Sequence, residues 1–232
     1  GQKISMTFAY PTPTTIDTFY TNSEGYLITP EVLPYGEYSL VEVQAPYGYA
    51  LDKTPVAFSV SLENAEKENS LTIVKVEKQN TAQKGRISVQ KTGDIFTSVN
   101  MASSAYTDEN GELVVNSTTY TPVFADGDLS GAVFQVIAVE DIVTLDGTTR
   151  AYAGDVVSEI TTDENGYAET EPLYLGKYEV REIKAPDGYV LNNEPKDVEV
   201  TYAGQEFEVR DTVNTAFENE YQGVRISLSK VM

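Results

Sequence analysis

The chain has 232 residues and a net charge of −20, from 16 basic and 36 acidic side chains, and it contains neither cysteine nor histidine. That charge argues against nucleic acid and against anionic membrane surfaces, both of which are held by basic clusters. The missing residue types exclude disulfide scaffolds, thiolate zinc sites, cysteine nucleophiles and imidazole acid–base chemistry.

No apolar run is long enough to cross a bilayer as a helix, and no signal peptide opens the chain. Tyrosine is abundant at 16 and tryptophan is absent. With frequent Thr and Val, that profile favours strands, and no stretch shows helical periodicity.

In chain order, residues 3–10 read as a strand, with Lys3 at its solvated start. A turn follows at Asn22-Ser23-Glu24-Gly25, and turns of the same kind recur at Asp108-Glu109-Asn110-Gly111 and Asp163-Glu164-Asn165-Gly166. Residues 38–49 have the pattern Y-x-x-x-E-x-x-A-P-x-G-Y, which returns at residues 178–189, an offset of 140 positions. Arg86-Ile87-Ser88-Val89-Gln90-Lys91 returns as Arg225-Ile226-Ser227-Leu228-Ser229-Lys230, an offset of 139. Two segments with nearly one period indicate tandem homologous domains, cut out of phase.

The expected boundaries are 1–84 for a first domain lacking its opening strand, 85–222 for a complete second domain, and 223–232 for the first strand of a third. The linkers 80–84 and 220–222 are short, which suits a semi-rigid string. The second domain holds an insertion at about 97–128, expected to form a flap around its own hairpin turn. A second excursion, 140–150, carries the turn Leu145-Asp146-Gly147. Short strands between frequent turns predict an all-β fold of tandem antiparallel sandwiches.

Successive strand residues point to opposite faces. In Ile87-Ser88-Val89-Gln90-Lys91, Lys91 shares the apolar face. In Tyr178-Glu179-Val180-Arg181-Glu182, Glu182 does. In Phe217-Glu218-Asn219, Asn219 lies with Phe217. A lysine, a glutamate and an asparagine are thus expected to converge in one core. A buried lysine loses its proton more easily, and a buried carboxyl holds one. The neutral amine of Lys91 is a nucleophile for the side-chain carbonyl of Asn219, and Glu182 can polarise that carbonyl and shuttle protons. Ammonia leaves and an intramolecular amide remains.

These segments resemble tandem Cna B-type domains, the transthyretin-like (prealbumin-like), Ig-like sandwiches of Gram-positive pilins and adhesins. The resemblance rests on Gly85 to Lys91, on Gly131-Ala132-Val133-Phe134, on Thr161 to Gly166, on Leu173 to Glu182 and on Phe217 to Asn219. It implies that Lys91 and Asn219 are the bonded pair and Glu182 the catalytic acid. It also implies an extracellular, secreted, cell-wall-anchored stalk or shaft of a Gram-positive adhesin or pilin-like protein. Such a protein is no turnover enzyme, because it consumes its own residues once, and neither cofactor nor metal is expected.

The first domain keeps Glu42 but lacks the opening lysine strand, so Glu42 is expected to be an acid without its reaction set. Its other reading is a structural cap on the Ala45-Pro46 turn. Aligning Val76 with Phe217 puts Lys78 at the asparagine position, with Asn80 two residues on. Lys230 is expected to be unpaired. The expected partners are neighbouring domains of the same protein, a host protein or glycan held by the flap, and another copy accepting residues 225–230 as a donated strand. Three further readings are weaker. They are a glycosidase with paired carboxylates, calcium at Asp126-Gly127-Asp128 or at Asp141 with Asp146, and a carbohydrate platform of Tyr106, Tyr120 and Tyr152.

Overall fold

The computed structural model describes residues 2–9, 11–61, 63, 66–68 and 71–224. Every regular element among them is a strand, as the composition predicts. The chain divides into two units. One comprises Gly1–Val43 with Lys53–Gln79, the other Gln44–Asp52 with Asn80–Met232.

The first unit is built of strand pairs. β1 (Met6–Phe8) pairs with β2 (Thr14–Ile16), β3 (Gly36–Leu40) with β4 (Val56–Val60), and β5 (Glu66–Glu68) with β6 (Leu71–Ile73), all antiparallel. Lys3 is solvated, as expected, and sits 2.8 Å from Asp17. Tyr38 stacks on Phe58 across the second pair, with ring centroids 5.6 Å apart. Its hydroxyl donates to the carbonyl of Pro34, four residues back. Among the described residues of this unit, Met6 is the one fully buried apolar side chain.

The second unit is a sandwich. A short β7 (Lys84–Gly85) leads into the long β8 (Ile87–Thr107), which returns as β9 (Leu113–Asp128). Then come β10 (Val133–Ala138), the small hairpin β11 (Ile142–Val143) with β12 (Thr149–Ala151), β13 (Val156–Thr161), β14 (Tyr167–Glu169), β15 (Leu173–Tyr174), β16 (Gly176–Lys184), β17 (Lys196–Val200) and β18 (Val213–Asn219). One sheet has the order β13-β10-β16-β17 and the other β14-β8-β18, while β15 pairs with β7. β18 lies parallel to β8, with Phe217 opposite Lys91 and Asn219 opposite Gly93.

Alternation places Ile87 and Val89 of β8, Phe134 and Val136 of β10 and Tyr178 and Val180 of β16 in one core. Phe217 joins them from β18, its ring centroid 4.8 Å from that of Phe134 across the two sheets. Full burial of such a side chain contributes about 1.5–3 kcal/mol. Tyr178 repeats the device of Tyr38, its hydroxyl donating to the carbonyl of Tyr174 at 2.6 Å.

The expected flap takes the form of a ribbon. β8 runs straight on past the core, and β9 pairs with it from Thr92↔Asp128 to Thr107↔Leu113, with irregularities near Thr97 and after Ser104. The ribbon is therefore continuous with the opening strand, and its β8 side chains are exposed from Asp94 outward. At its tip Asp108 Oδ1 accepts from the amides of Asn110 and Glu112. Asn22 and Asp163 make the same turn with the amides two and four residues on.

Two glycines let the strands close around Lys91. Gly166 has φ +67°, and a Cβ there would lie 2.3 Å from the carbonyl oxygen of Lys91. A Cβ on Gly93 would lie 2.5 Å from the carbonyl oxygen of Asn219. Gly166→Ala therefore combines left-handed backbone strain with displacement of β8, an expected loss of about 2–3 kcal/mol. Gly154, with φ +91° and nothing within 4 Å of where a Cβ would stand, isolates the backbone cost, about 1 kcal/mol on substitution by alanine. Thermal denaturation of the two variants checks this: equal shifts would show that Gly166 is not packed against β8.

Candidate functional site

Lys91, Glu182 and Asn219 meet inside the second unit. Lys91 lies on β8, Asn219 on the neighbouring parallel strand β18 and Glu182 on β16 of the facing sheet. Their exposures are 0%, 2% and 3%, in the order Lys91, Glu182, Asn219. The alternation that places Val89, Val180 and Phe217 inward also turns these three inward.

The Lys91 amine and the Asn219 amide both approach one oxygen of Glu182. Asn219 Nδ2 donates to Glu182 Oε1 at 2.9 Å, and Lys91 Nζ lies 4.0 Å from the same oxygen. The other carboxylate oxygen, Oε2, accepts from the backbone N–H of Asn192 at 2.7 Å. That bond fixes the carboxyl plane, and Asn192 itself is anchored through its side-chain amide to the carbonyl of Glu218. Lys91 Nζ donates to the carbonyl of Thr92 at 3.4 Å. Asn219 Oδ1 is buried and has no hydrogen-bond partner among the described residues. A buried orphan carbonyl costs about 1–3 kcal/mol, so this oxygen is poised to accept a proton or a donor.

Desolvation pulls the Lys91 amine down to about 8, against the opposing pull of the Glu182 and Glu218 charges. Phe134 and Phe217, whose rings pack on each other across the sandwich, stand opposite Glu182 and Lys91 in the strand registers. On the outside Lys196 Nζ stands 4.9 Å over the Phe217 ring and donates to the carbonyl of Ala216. The arrangement brings a readily neutralised amine, a carboxyl and a primary amide together in a desolvated core.

Sequence reasoning found the three side chains but missed Asn192, Gly93 and Gly166. The Asn192 contribution is a backbone N–H, for which no residue type is a signal. Gly166 carried the signal of a turn glycine, but the close approach of each glycine to the carbonyl of Lys91 or Asn219 depends on strand pairing and has none.

Two bridges settle the alignment of the repeats. Tyr49 pairs with Ala82, and Tyr189 pairs with Tyr221. The Ala50 amide donates to the Thr81 carbonyl as the Val190 amide does to that of Glu220. Asn80, not Lys78, is therefore the counterpart of Asn219, because one residue fewer separates the two segments in the second copy. Asn80 Nδ2 donates to the carbonyl of Ala50, and Lys78 Nζ to that of Thr54. Glu42 is half-buried in the first unit, whereas Asn80 belongs to the second. Lys230 and the segment 225–230 lie outside the described residues.

Among the described residues no group of three or more acidic side chains gathers to hold a metal ion, and three of the four candidate carboxylates for calcium accept hydrogen bonds within the chain. Asp146 takes the hydroxyl of Thr144 and the amide of Thr148, Asp141 the amide of Ala153, and Asp128 the side-chain amide of Gln90. Tyr106 and Tyr120 occupy opposite faces of the ribbon and Tyr152 lies outside it, so the three form no single platform.

The sequence model of the SpaA prealbumin-like fold domain matches residues 3–76 and 123–215. The trypsin-resistant surface T6 protein of Streptococcus pyogenes serotype M6 is 30% identical over 106 residues, which are 46% of this chain and 16% of that protein. Among solved structures, the TIE protein of Bacillus anthracis aligns with a TM-score of 0.51 at 22% identity, over 93% of this chain and 30% of that one. GBS52, a minor pilin of Streptococcus agalactiae, aligns at 0.35 and 16% identity, over 82% of this chain and 66% of that one. The chain thus spans a small part of the first two. The match at 106 residues and the likeness to the TIE fold agree with the sandwich described above, and the family model covers well over half of the sequence: the chain belongs to the SpaA prealbumin-like fold domain family.

Proposed function

We propose that this chain is a shaft segment of a Gram-positive surface protein, adhesin or pilin-like, whose second unit is locked by an autocatalytic amide between Lys91 and Asn219. The observation that carries the reading is the convergence of a dry amine and a dry amide on one oxygen of Glu182.

The reaction begins with proton transfer from the Lys91 ammonium to Glu182 Oε1. In a dry site the neutral amine and neutral acid cost less than two desolvated charges. Rotation of the Asn219 amide brings Oδ1 to the protonated carboxyl, which then donates to it and polarises Cγ. Nζ attacks Cγ, and Glu182 relays a proton from Nζ to Nδ2. The Cγ–Nδ2 bond breaks, ammonia leaves, and the Nζ–Cγ amide remains, with the carboxyl still holding the proton first taken from the Lys91 ammonium. Fixed neighbouring strands supply the effective molarity of the attack. The chain acts once on itself, so it is not an enzyme in the turnover sense.

An amide here closes the 128 positions from Lys91 to Asn219. It bonds β8 to β18, strands already paired along the sheet. A shaft domain gains resistance to pulling and to proteolysis from such a tie. The homologous T6 protein is described as trypsin-resistant, which fits this role. Secretion, display at the cell wall and contact with neighbouring domains follow from the same reading.

Intact mass spectrometry of the purified chain should show the loss of one ammonia, and Glu182→Gln should restore the full mass while preserving the fold. A full mass for the unaltered chain would sink the proposal. Treated like a disulfide, closure of a loop of about 100 residues restricts the unfolded chain by roughly 4–5 kcal/mol, though that entropic account is disputed. Lys91→Met should thus lower the Tm of the second unit by about 10–20 °C and speed its digestion by trypsin; unchanged melting would show the tie to be mechanically idle.

The buried amine also gives a pH signature. In an Asn219→Ala chain Lys91 stays a free amine. Its folded pKa of about 8 lies below the unfolded value of about 10.4. Between those values the unfolded state binds more protons, so stability rises with pH across that window and is level below it. The Lys91→Met, Asn219→Ala chain should lack this rise in urea titrations at pH values from about 7 to about 10. Identical pH profiles for the two chains would show that the amine is not desolvated.

A further inference from the structure

The second unit contains one docked A-P-x-G-Y loop and one that is undocked. Residues 44–52 are clasped by Gln83, which is 1% exposed. Its Nε2 donates to the carbonyls of Gly204 and Phe207, and its Oε1 accepts from the Ala203 amide. The same 202–207 loop grips 44–52 directly. The Ala45 amide donates to Gln205 Oε1, the Leu51 amide to the Gln205 carbonyl, and Tyr47 packs on Tyr202 at 4.6 Å.

The second copy of this device has the same backbone but, among the described residues, no cover. The Gln83 amide donates to the Gly48 carbonyl, and the Gln222 amide donates to the Gly188 carbonyl, so Gln222 occupies the place of Gln83. Gln222 is exposed, and among the described residues no hydrogen bond reaches its side chain. Ala45 and Ala50 are buried, whereas their counterparts Ala185 and Val190 are half-buried and exposed.

The ribbon of β8 and β9 begins at this open loop. Tyr189 donates its hydroxyl to the carbonyl of Asp94, and Tyr221 packs on both Tyr189 and Phe124. From there the pairing register sorts the ribbon into two faces. Phe96, Val99, Met101, Tyr120, Pro122 and Phe124 share one, while Ser98, Asn100, Thr119 and Thr121 share the other with Ile95, Val123 and Ala125 near its base. Met101 and Tyr120 on the apolar face are each 66% exposed. In a chain of net charge −20, residues 95–107 and 113–125 carry no charge at all. Beyond Asp94 and Asp126 at its base, this face therefore adds no charge to repel an acidic module, and burial of the apolar side chains favours contact.

We infer that Gln222, the 185–191 loop and the apolar face of the ribbon form one docking surface for a further module of this same fold. That module presents a loop like 202–207, whose carbonyls receive Gln222 as Gly204 and Phe207 receive Gln83, and its flank rests on the ribbon. Asp187 stands where Tyr47 stacks on Tyr202, so the incoming loop offers a hydrogen-bond donor or a cation at that point in place of a ring. This surface is independent of the Lys91–Asn219 reaction, and its failure leaves that proposal intact.

Two measurements test it. In the chain as it stands, Gln83→Ala should raise hydrogen exchange at the Ala45 and Leu51 amides at least tenfold. Unchanged exchange would show that the glutamine clasp holds nothing and would overturn its extension to Gln222. In a chain where residues 224–232 are replaced by a second copy of residues 85–224, bearing Met101→Leu in that copy, peroxide oxidation of the remaining Met101 should slow at least tenfold. Gln222→Ala should restore the fast rate. Oxidation as fast as in the original chain, or slow oxidation that ignores Gln222→Ala, would overturn the inference; should the added copy not fold, the Gln83→Ala result decides.

Discussion

An amine taken out of water is the constraint on which the second unit turns. Lys91 sits in the same row as Ile87 and Val89, where an apolar residue would stabilise the sandwich without cost. Replacing a buried ion pair by apolar residues is often neutral or stabilising, so the trio is poorly explained as an aid to packing. It is well explained as a reaction set, because the desolvation that penalises the ammonium also makes the nucleophile. The surrounding features serve that set. Gly93 and Gly166 let the strands beside Lys91 close, the Asn192 amide orients the carboxyl, and the two phenylalanines stand opposite Glu182 and Lys91.

The sheet order explains why these residues occupy neighbouring places although they are far apart in sequence. A parallel pairing of the first long strand with the last places Asn219 on the neighbouring strand two positions beyond the residue opposite Lys91, and the facing sheet supplies Glu182. An amide at that point ties the opening and closing strands of the unit to each other. With the proposed amide in place, force applied through the chain at either end of the unit would meet a covalent bond before it met the hydrogen bonds of the core.

Much of this was legible in the sequence, for a definite reason. A period of two is simple to follow when a strand is buried on one face, so Lys91, Glu182 and Asn219 stood out as polar residues in apolar rows. The internal repeat marked which segments correspond. It misled at Lys78, because aligning Val76 with Phe217 implies an offset of 141, whereas the offset falls from 140 at Tyr49 and Tyr189 to 139 at Ala82 and Tyr221, where the bridges pair them. The insertion was seen but its form was not. Its strands continue β8 and β9 without a break, and local turn signals do not tell a folded flap from an extended ribbon. The membership of residues 44–52 in the second unit was also hidden, since it depends on Gln83 and Gln205, whose side chains act at long range.

The central claim is a covalent bond, and the most direct measurement is a crystal structure of the second unit in the full chain at a resolution that separates bonded from non-bonded atoms. The account predicts continuous density from Lys91 to Asn219, a planar amide with Nζ about 1.33 Å from Cγ, and no Nδ2. An Nζ held at van der Waals distance from Cγ, roughly 3.5 Å, with the primary amide intact, would contradict it.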